Sequence, residues 1–148
     1  MSLRSPRLSS GVVVVRRVGD EWVFLLLRAY NNWDFPKGMV EHGEEPLPAA
    51  IREVHEETLI DDLAFEWGHR YTETGPYSRG KVARYYLAST ATEEIRLPVI
   101  EELGRPEHNE ARWVDLRNGL RLVSPRVRPV VVWAAEQLGL PVPEQNSN

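Results

Sequence analysis

Residues 46–58, PLPAAIREVHEET, show apolar and acidic positions recurring at helical spacing. At about 100° per residue, Leu47, Ala50, Ile51 and Val54 fall between about 60° and 160° when Glu53 is taken as zero. Glu56, Glu53 and Glu57 fall at about −60°, 0° and +40°, so one arc of the helix is apolar and a second is purely anionic. Pro46 and Pro48 open it, where amides need no intrahelical acceptor. Elsewhere the pattern is that of strands. GVVVV at residues 11–15 is a β-branched run suited to burial, and a turn at residues 18–20 returns the chain as EWVFLLLR at 21–28, a hairpin. Trp33 and Phe35 flank Asp34 in a short half-buried strand. Residues 63–72 are expected to form a strand bulged at Gly68, and residues 74–80 a glycine-rich loop. Along the strand at 81–89, Lys81, Ala83, Tyr85 and Leu87 face one way and Val82, Arg84, Tyr86 and Ala88 the other.

Residues 91–110 form a long acidic connection with two prolines and little periodicity, a length that in compact domains tends to be functional or mobile. A short strand at 111–116 and a turn at Asn118-Gly119 follow. A last helix is opened by Ser124-Pro125, carries Val127, Val130, Val131, Ala134 and Leu138 inward, and is closed by Gly139 and Pro141. Residues 1–9 are expected to be a loose arm, 10–140 one folded domain and 141–148 a tail.

Composition narrows the class. The 148 residues suffice for one domain with a real core. The longest apolar runs fall well short of the ~20 residues of a membrane span, and the first ten residues lack the apolar stretch of a secretory leader. With no cysteine, disulfide and thiolate chemistry are excluded and a cytoplasmic setting is expected. A net charge of −4 argues against non-specific nucleic-acid binding, which needs a basic footprint. Any metal must be held by oxygen ligands or by the four histidines His42, His55, His69 and His108, whose scattered positions read as surface.

The three helical glutamates repel one another at i, i+3 and i+4. They must either stay in water or be neutralised by a cation, and crowded carboxylate oxygens are what Mg2+ and Mn2+ take. Their context carries further information. Gly38, then Glu44 after five residues, then Arg52-Glu53-Val54-His55-Glu56-Glu57-Thr58-Leu59-Ile60 after seven, resembles the Nudix box, GX5EX7REUXEEXGU with U aliphatic. Eight of its nine specified positions match, and the miss is Leu59, where the box has glycine.

The resemblance implies an α/β/α sandwich, which suits the order strand, strand, helix, strand, strand, strand, helix. It also implies a metal-dependent hydrolase of nucleoside diphosphate derivatives, cleaving a phosphoanhydride with Mg2+ or Mn2+. Glu53, Glu56 and Glu57 then stand at metal-binding positions with the Gly38 carbonyl. Arg52 orients the carboxylates, and Glu107, ahead of Glu110, brings one more acid to the metals. WDFPKG, the 81–88 strand and EHNEARW resemble the asymmetrically cleaving diadenosine tetraphosphate hydrolases. On that resemblance Lys37 contacts phosphate, Lys81 belongs to the substrate-binding residues, and Tyr77, 17 residues past the box, is the candidate to stack on adenine. Pro76, in contrast, resembles a feature of ADP-ribose pyrophosphatases. RNA 5′-ends, nucleoside triphosphates and ADP-ribose are the alternative substrates, and a non-catalytic nucleotide-binding module is the alternative of another class. The partner expected is a small nucleotide, the assembly a monomer or homodimer. In the family that second glycine ends the helix in a left-handed conformation, so Leu59 is expected to alter the helix exit and lower activity while sparing the carboxylates.

Overall fold

β1 (Arg7–Val18) and β2 (Glu21–Ala29) form the expected hairpin, but they pair only near their turn, from Val15↔Phe24 to Val18↔Glu21. Beyond that point they diverge. The computed structural model describes residues 7–143, and in it β3 (Asn32–Asp34) folds back on β2 while β4 (Lys37–Met39) pairs with Ser9–Gly11 of β1. A wedge of chain thus occupies the split. On its other edge β1 runs parallel to β6 (Lys81–Ser89) along nine paired residues, and β5 (Tyr71–Tyr77) closes that side of the sheet. β9 (Glu110–Val114) completes the opposite side against β2.

Alternation along β1 divides the core into two layers. Val12 and Val14 meet Ala50 and Val54 of α1 (Pro46–Thr58), with Leu25, Leu27, Tyr86 and Ala88. Val13 and Val15 meet α2 (Leu116–Leu122) and α3 (Arg128–Leu138) through Leu120, Val127, Val130, Val131 and Ala134. The result is the α/β/α sandwich, with Tyr85 and Tyr86 buried on opposite faces. Among the described residues no helix is long and apolar enough to cross a membrane.

Several sequence expectations are corrected. Arg7–Ser9 is not a loose arm: it opens β1, paired along β6 and, from Ser9, with β4 as well, and the next residue, Ser10, donates from Oγ to the Pro46 carbonyl at 2.6 Å, anchoring α1. The rest of that arm, and most of the C-terminal tail, lie outside the described residues. Residues 63–72 give only a bridge, Ala64 to Ser89, before β5 begins. The bulge falls between Thr74 and Tyr77 instead of at Gly68, so the supposed loop is mostly strand. Asn118-Gly119 is not a turn but the middle of α2, capped by the Asp115 carboxylate, which accepts from the Asn118 N–H at 2.8 Å. α3 starts at Arg128, three residues later than the Ser124 cap implied. Within the 91–110 connection a two-stranded ribbon forms, β7 (Val99–Ile100) with β8 (Arg105–Pro106), beside the end of α1.

Leu59 does not alter the helix exit. It adopts the left-handed conformation itself, φ 64° and ψ 9°, with its N–H on the His55 carbonyl at 2.9 Å. The penalty falls on the leucine, about 1 kcal/mol for a residue carrying Cβ. Leu59→Gly is therefore expected to raise the melting temperature by roughly 1–3 °C after allowing for the added freedom of the unfolded chain. Differential scanning calorimetry checks this; a lower value would mean that the leucine side chain contributes more than its backbone costs.

Candidate active site

The wedge and α1 build the site between them. β4 lays Gly38 opposite Ser10 and directly under Glu53, and a Cβ on Gly38 would overlap the Glu53 carboxylate. Glycine is needed here for room. Arg52 then ties the assembly together: its Nε and Nη2 donate to Glu44 at 2.8 and 2.9 Å, its Nη1 to Glu53 at 2.9 Å and to Glu56 at 3.1 Å, and its Nη2 to the Met39 carbonyl at 3.2 Å. A planar fork with five donors can serve so many acceptors where an ammonium could not. The Arg52 hydrogen bonds and the Glu41 backbone N–H hold the Glu44 carboxyl down at about 2. Glu44 also receives that N–H at 3.0 Å, which folds the loop entering α1.

The carboxylates do not share one environment. Ile51, expected inward, is 40% exposed, whereas Glu53 and Glu57 are buried. The buried arc of α1 therefore centres near Glu57, with Glu53, Ala50 and Val54 on either side, and Glu56 lies at the rim. Neither oxygen of Glu57 has a hydrogen-bond partner. Burial first, then the nearby Glu107 and Glu53, pushes its carboxyl up to about 10. Burial also raises Glu53, against the opposing pull of Arg52.

From the far side the 91–110 connection delivers two more groups. Ligand atoms of Glu57, Glu107 and His108 lie within 4.8 Å of one another, and His108 Nδ1 is 3.9 Å from Glu57 Oε1. Sequence reading chose Glu107 over Glu110, and the structure separates them: Glu110 is engaged by Arg112 at 2.8 Å and by Arg28 at 3.4 Å, away from the cluster. His108, expected at the surface, is not fully exposed. The imidazole is instead half-buried, and burial lowers its pKa, which favours the neutral ring that accepts or ligates.

An unpartnered buried carboxylate is costly unless a cation joins it. The carboxylate of Glu57, with Glu53 and Glu56 on the same helix and ligand atoms of Glu107 and His108 within 4.8 Å of it, suits a divalent cation.

Glu107 and His108 form a ridge between two cavities. One, of about 540 Å³, lies between α1 and the β7–β8 ribbon and includes Leu59, Leu97, Val99 and Ile100 in its wall. The other, of about 410 Å³, is lined by Trp33, Asp34, Lys37, Ser124 and Arg126. Lys37 thus stands beside the cluster, its Nζ 3.8 Å from Asp34. Tyr77 and Lys81 line neither cavity; Lys81 starts β6 level with Arg7, three residues short of the pair Ser10↔Arg84. Asp34 and Arg126 were not found by sequence reading. No local spacing marks them, since 92 residues separate their ion pair of 3.0 Å.

The model of the NUDIX domain family matches residues 5–134. The RNA pyrophosphohydrolase of Bartonella quintana is 43% identical over 129 residues, covering 72% of this chain and 74% of that protein. The asymmetrical bis(5′-nucleosyl)-tetraphosphatase of Caenorhabditis elegans is 30% identical over 120 residues, covering 77% and 83%. The crystal structure of a C. elegans Ap4A hydrolase binary complex superposes with a TM-score of 0.76 at 24% identity, over 90% of this chain and 99% of that one.

Proposed function

This chain belongs to the Nudix family and is a pyrophosphohydrolase, and on that premise we propose that its substrate is a dinucleoside polyphosphate such as a diadenosine polyphosphate. The observation that supports this reading is the pair of cavities meeting at the acidic cluster. A polyphosphate crossing the Glu107–His108 ridge has room for a nucleoside on each side. Nudix enzymes generally use divalent ions, and the carboxylates here suit Mg2+ or Mn2+.

In this reading Glu53, Glu56 and Glu57, with the Gly38 carbonyl, hold the metal. When bound, divalent ions neutralise the bridging phosphates, acidify a water and stabilise the leaving phosphate. Arg52 keeps Glu53 and Glu56 in their rotamers, which limits the reorganisation needed during the reaction. Lys37 binds a phosphate oxygen. Glu107, which approaches from a separate element and is open to solvent, takes the proton of the attacking water. The water oxygen forms the new P–O bond, the bridging P–O bond breaks, and the departing phosphate carries off the electron pair.

The Bartonella relatives favour a second reading, removal of pyrophosphate from RNA 5′-ends. Chromatographic measurement of the nucleotide and pyrophosphate products formed in Mg2+ from diadenosine polyphosphates, triphosphorylated RNA, nucleoside triphosphates and ADP-ribose separates the two. The highest kcat/KM is expected for a diadenosine polyphosphate. A preference for RNA overturns the first reading in favour of the second, and no turnover of any substrate by metal-loaded protein would indicate a binding module.

A further inference from the structure

Tyr77 was expected to offer its ring to a base, yet the structure covers one face of that ring. The Arg126 guanidinium carbon lies 4.1 Å from the ring centroid. Tyr77 also packs against the core on the α3 side of the sheet. Arg126 lines the polar cavity and Tyr77 does not, so the guanidinium stands between the ring and the cavity.

The guanidinium is held in this plane on several sides. Its Nη1 donates to Thr74 Oγ1 at 2.6 Å and to the Tyr85 hydroxyl at 3.3 Å, and its Nη2 donates to Asp34 Oδ2 at 3.0 Å. Asp34 is itself fixed: its Oδ1 accepts the Phe35 N–H at 2.7 Å and the Tyr85 hydroxyl at 3.0 Å. The same carboxylate lies 3.8 Å from Lys37 Nζ. One partly buried carboxylate therefore spaces two different cations, a flat one backed by an aromatic ring and a point charge beside the acidic cluster. Their chemistries differ in what they attract. A delocalised, weakly hydrated plane stacks on a heteroaromatic ring, whereas an ammonium seeks phosphate oxygen.

We propose that Arg126 determines base recognition: its guanidinium, laid on Tyr77, is the surface on which a substrate nucleobase rests in the 410 Å³ cavity. Lys37 then takes the first phosphates and directs the chain toward Glu57 and Glu107. The cavity lies within the range of about 300–1,000 Å³ usual for small-ligand sites. Sequence spacing pointed to the ring, and the fold interposes the arginine. The inference rests on the reading of this site as a nucleotide pyrophosphohydrolase.

Arg126→Lys tests it, because lysine keeps the positive charge opposite Asp34 and loses the plane. In Mg2+, KM for diadenosine tetraphosphate is expected to rise about tenfold, as for loss of one base-stacking surface, with kcat within about twofold. By calorimetry, a non-hydrolysable ATP analogue should bind about tenfold more weakly, while inorganic tripolyphosphate, which has no base, should bind unchanged. Equal weakening of both ligands would assign Arg126 to phosphate binding or to support of Asp34, and no change in either would remove it from the site; both overturn the proposal. Should Arg126→Lys not fold, Thr74→Val retains the arginine and its ion pair but frees the plane, and a smaller rise confined to the base-bearing ligand is expected. If the parent enzyme cleaves no dinucleoside polyphosphate, the substrate reading fails alone, since the two calorimetric ligands still decide the role of Arg126.

Discussion

Glu57→Gln is expected to cut turnover by about two to four orders of magnitude and, in the same protein without metal, to raise the melting temperature. The two effects have one cause. Glu57 is buried with no hydrogen-bond donor on either oxygen, and its carboxyl is pushed from the ordinary 4.5 up to about 10 by burial and by Glu107 and Glu53. A group raised in this way contributes stability that is fully present below about pH 4.5 and is lost progressively as pH climbs toward 10. Near neutrality the metal-free fold must therefore either keep a proton on Glu57 or bear an uncompensated charge. The stability of the metal-free parent should fall with rising pH, at up to about 1.4 kcal/mol per unit from this residue. Glutamine is neutral at every pH, so the slope should shrink in the variant. His108 has the opposite sign. Burial lowers its pKa below the ordinary 6.5, so its contribution is present above that value and is lost on acidification. Thermal melts in chelator between about pH 7 and 9 thus isolate the carboxylates from the imidazole. Added Mn2+ should raise the parent's melting temperature more at the upper end of that window than at the lower. A pH-independent parent, or a variant less stable than it, would mean that a hydrogen-bond donor reaches Glu57 in the folded protein.

The same residue explains what sequence reading could and could not reach. The spacing of α1 was legible because both its classes of side chain repeat at helical period, but it assigned the acids and the apolar residues to separate faces. Hydrophobicity predicts burial only where burial is driven by transfer from water. Glu53 and Glu57 are buried for another reason, which left Ile51 outside and turned the inner face by about a fifth of a turn. α2 was hidden by its length: seven residues make only about two turns, and Asn-Gly is a turn signal whenever tertiary packing does not override it. The first residues of β1 are polar and gave no strand signal. They are ordered by two neighbours from distant parts of the chain, β4 and β6. Sequence reading drew on the Glu-His pair to choose Glu107 but gave His108 no role, and Arg126 reaches the cavity only through a pairing across most of the domain. Local chemistry was readable; what stands opposite it was not.

Gly38→Ala is expected to remove most activity while leaving the fold standing. Its Cβ would meet the end of the Glu53 side chain. A terminal carboxylate can swing aside, but in doing so Glu53 loses its 2.9 Å hydrogen bond from Arg52 and leaves the cluster. Metal affinity should fall by about 10–100-fold, as when the supports of a ligand are removed, and turnover by at least as much. Gly11→Ala is the contrasting control. There a Cβ would run into the Pro36 carbonyl and the Lys37 side-chain root, on a strand pair that also carries the 3.1 Å bond from the Val12 N–H to Pro36. Backbone cannot rotate away, so that variant should lose about 1–3 kcal/mol of stability or more. Calorimetric Mn2+ titration and thermal melts on both proteins separate the two kinds of crowding: Gly38→Ala should melt near the parent and bind metal weakly, whereas Gly11→Ala should melt early. If Gly38→Ala bound Mn2+ as tightly as the parent, Glu53 would not be a ligand. The metal would then belong to Glu57, Glu107 and His108, whose ligand atoms already lie within 4.8 Å of one another without it, and Arg52 would be holding a carboxylate that supports the site rather than forming it.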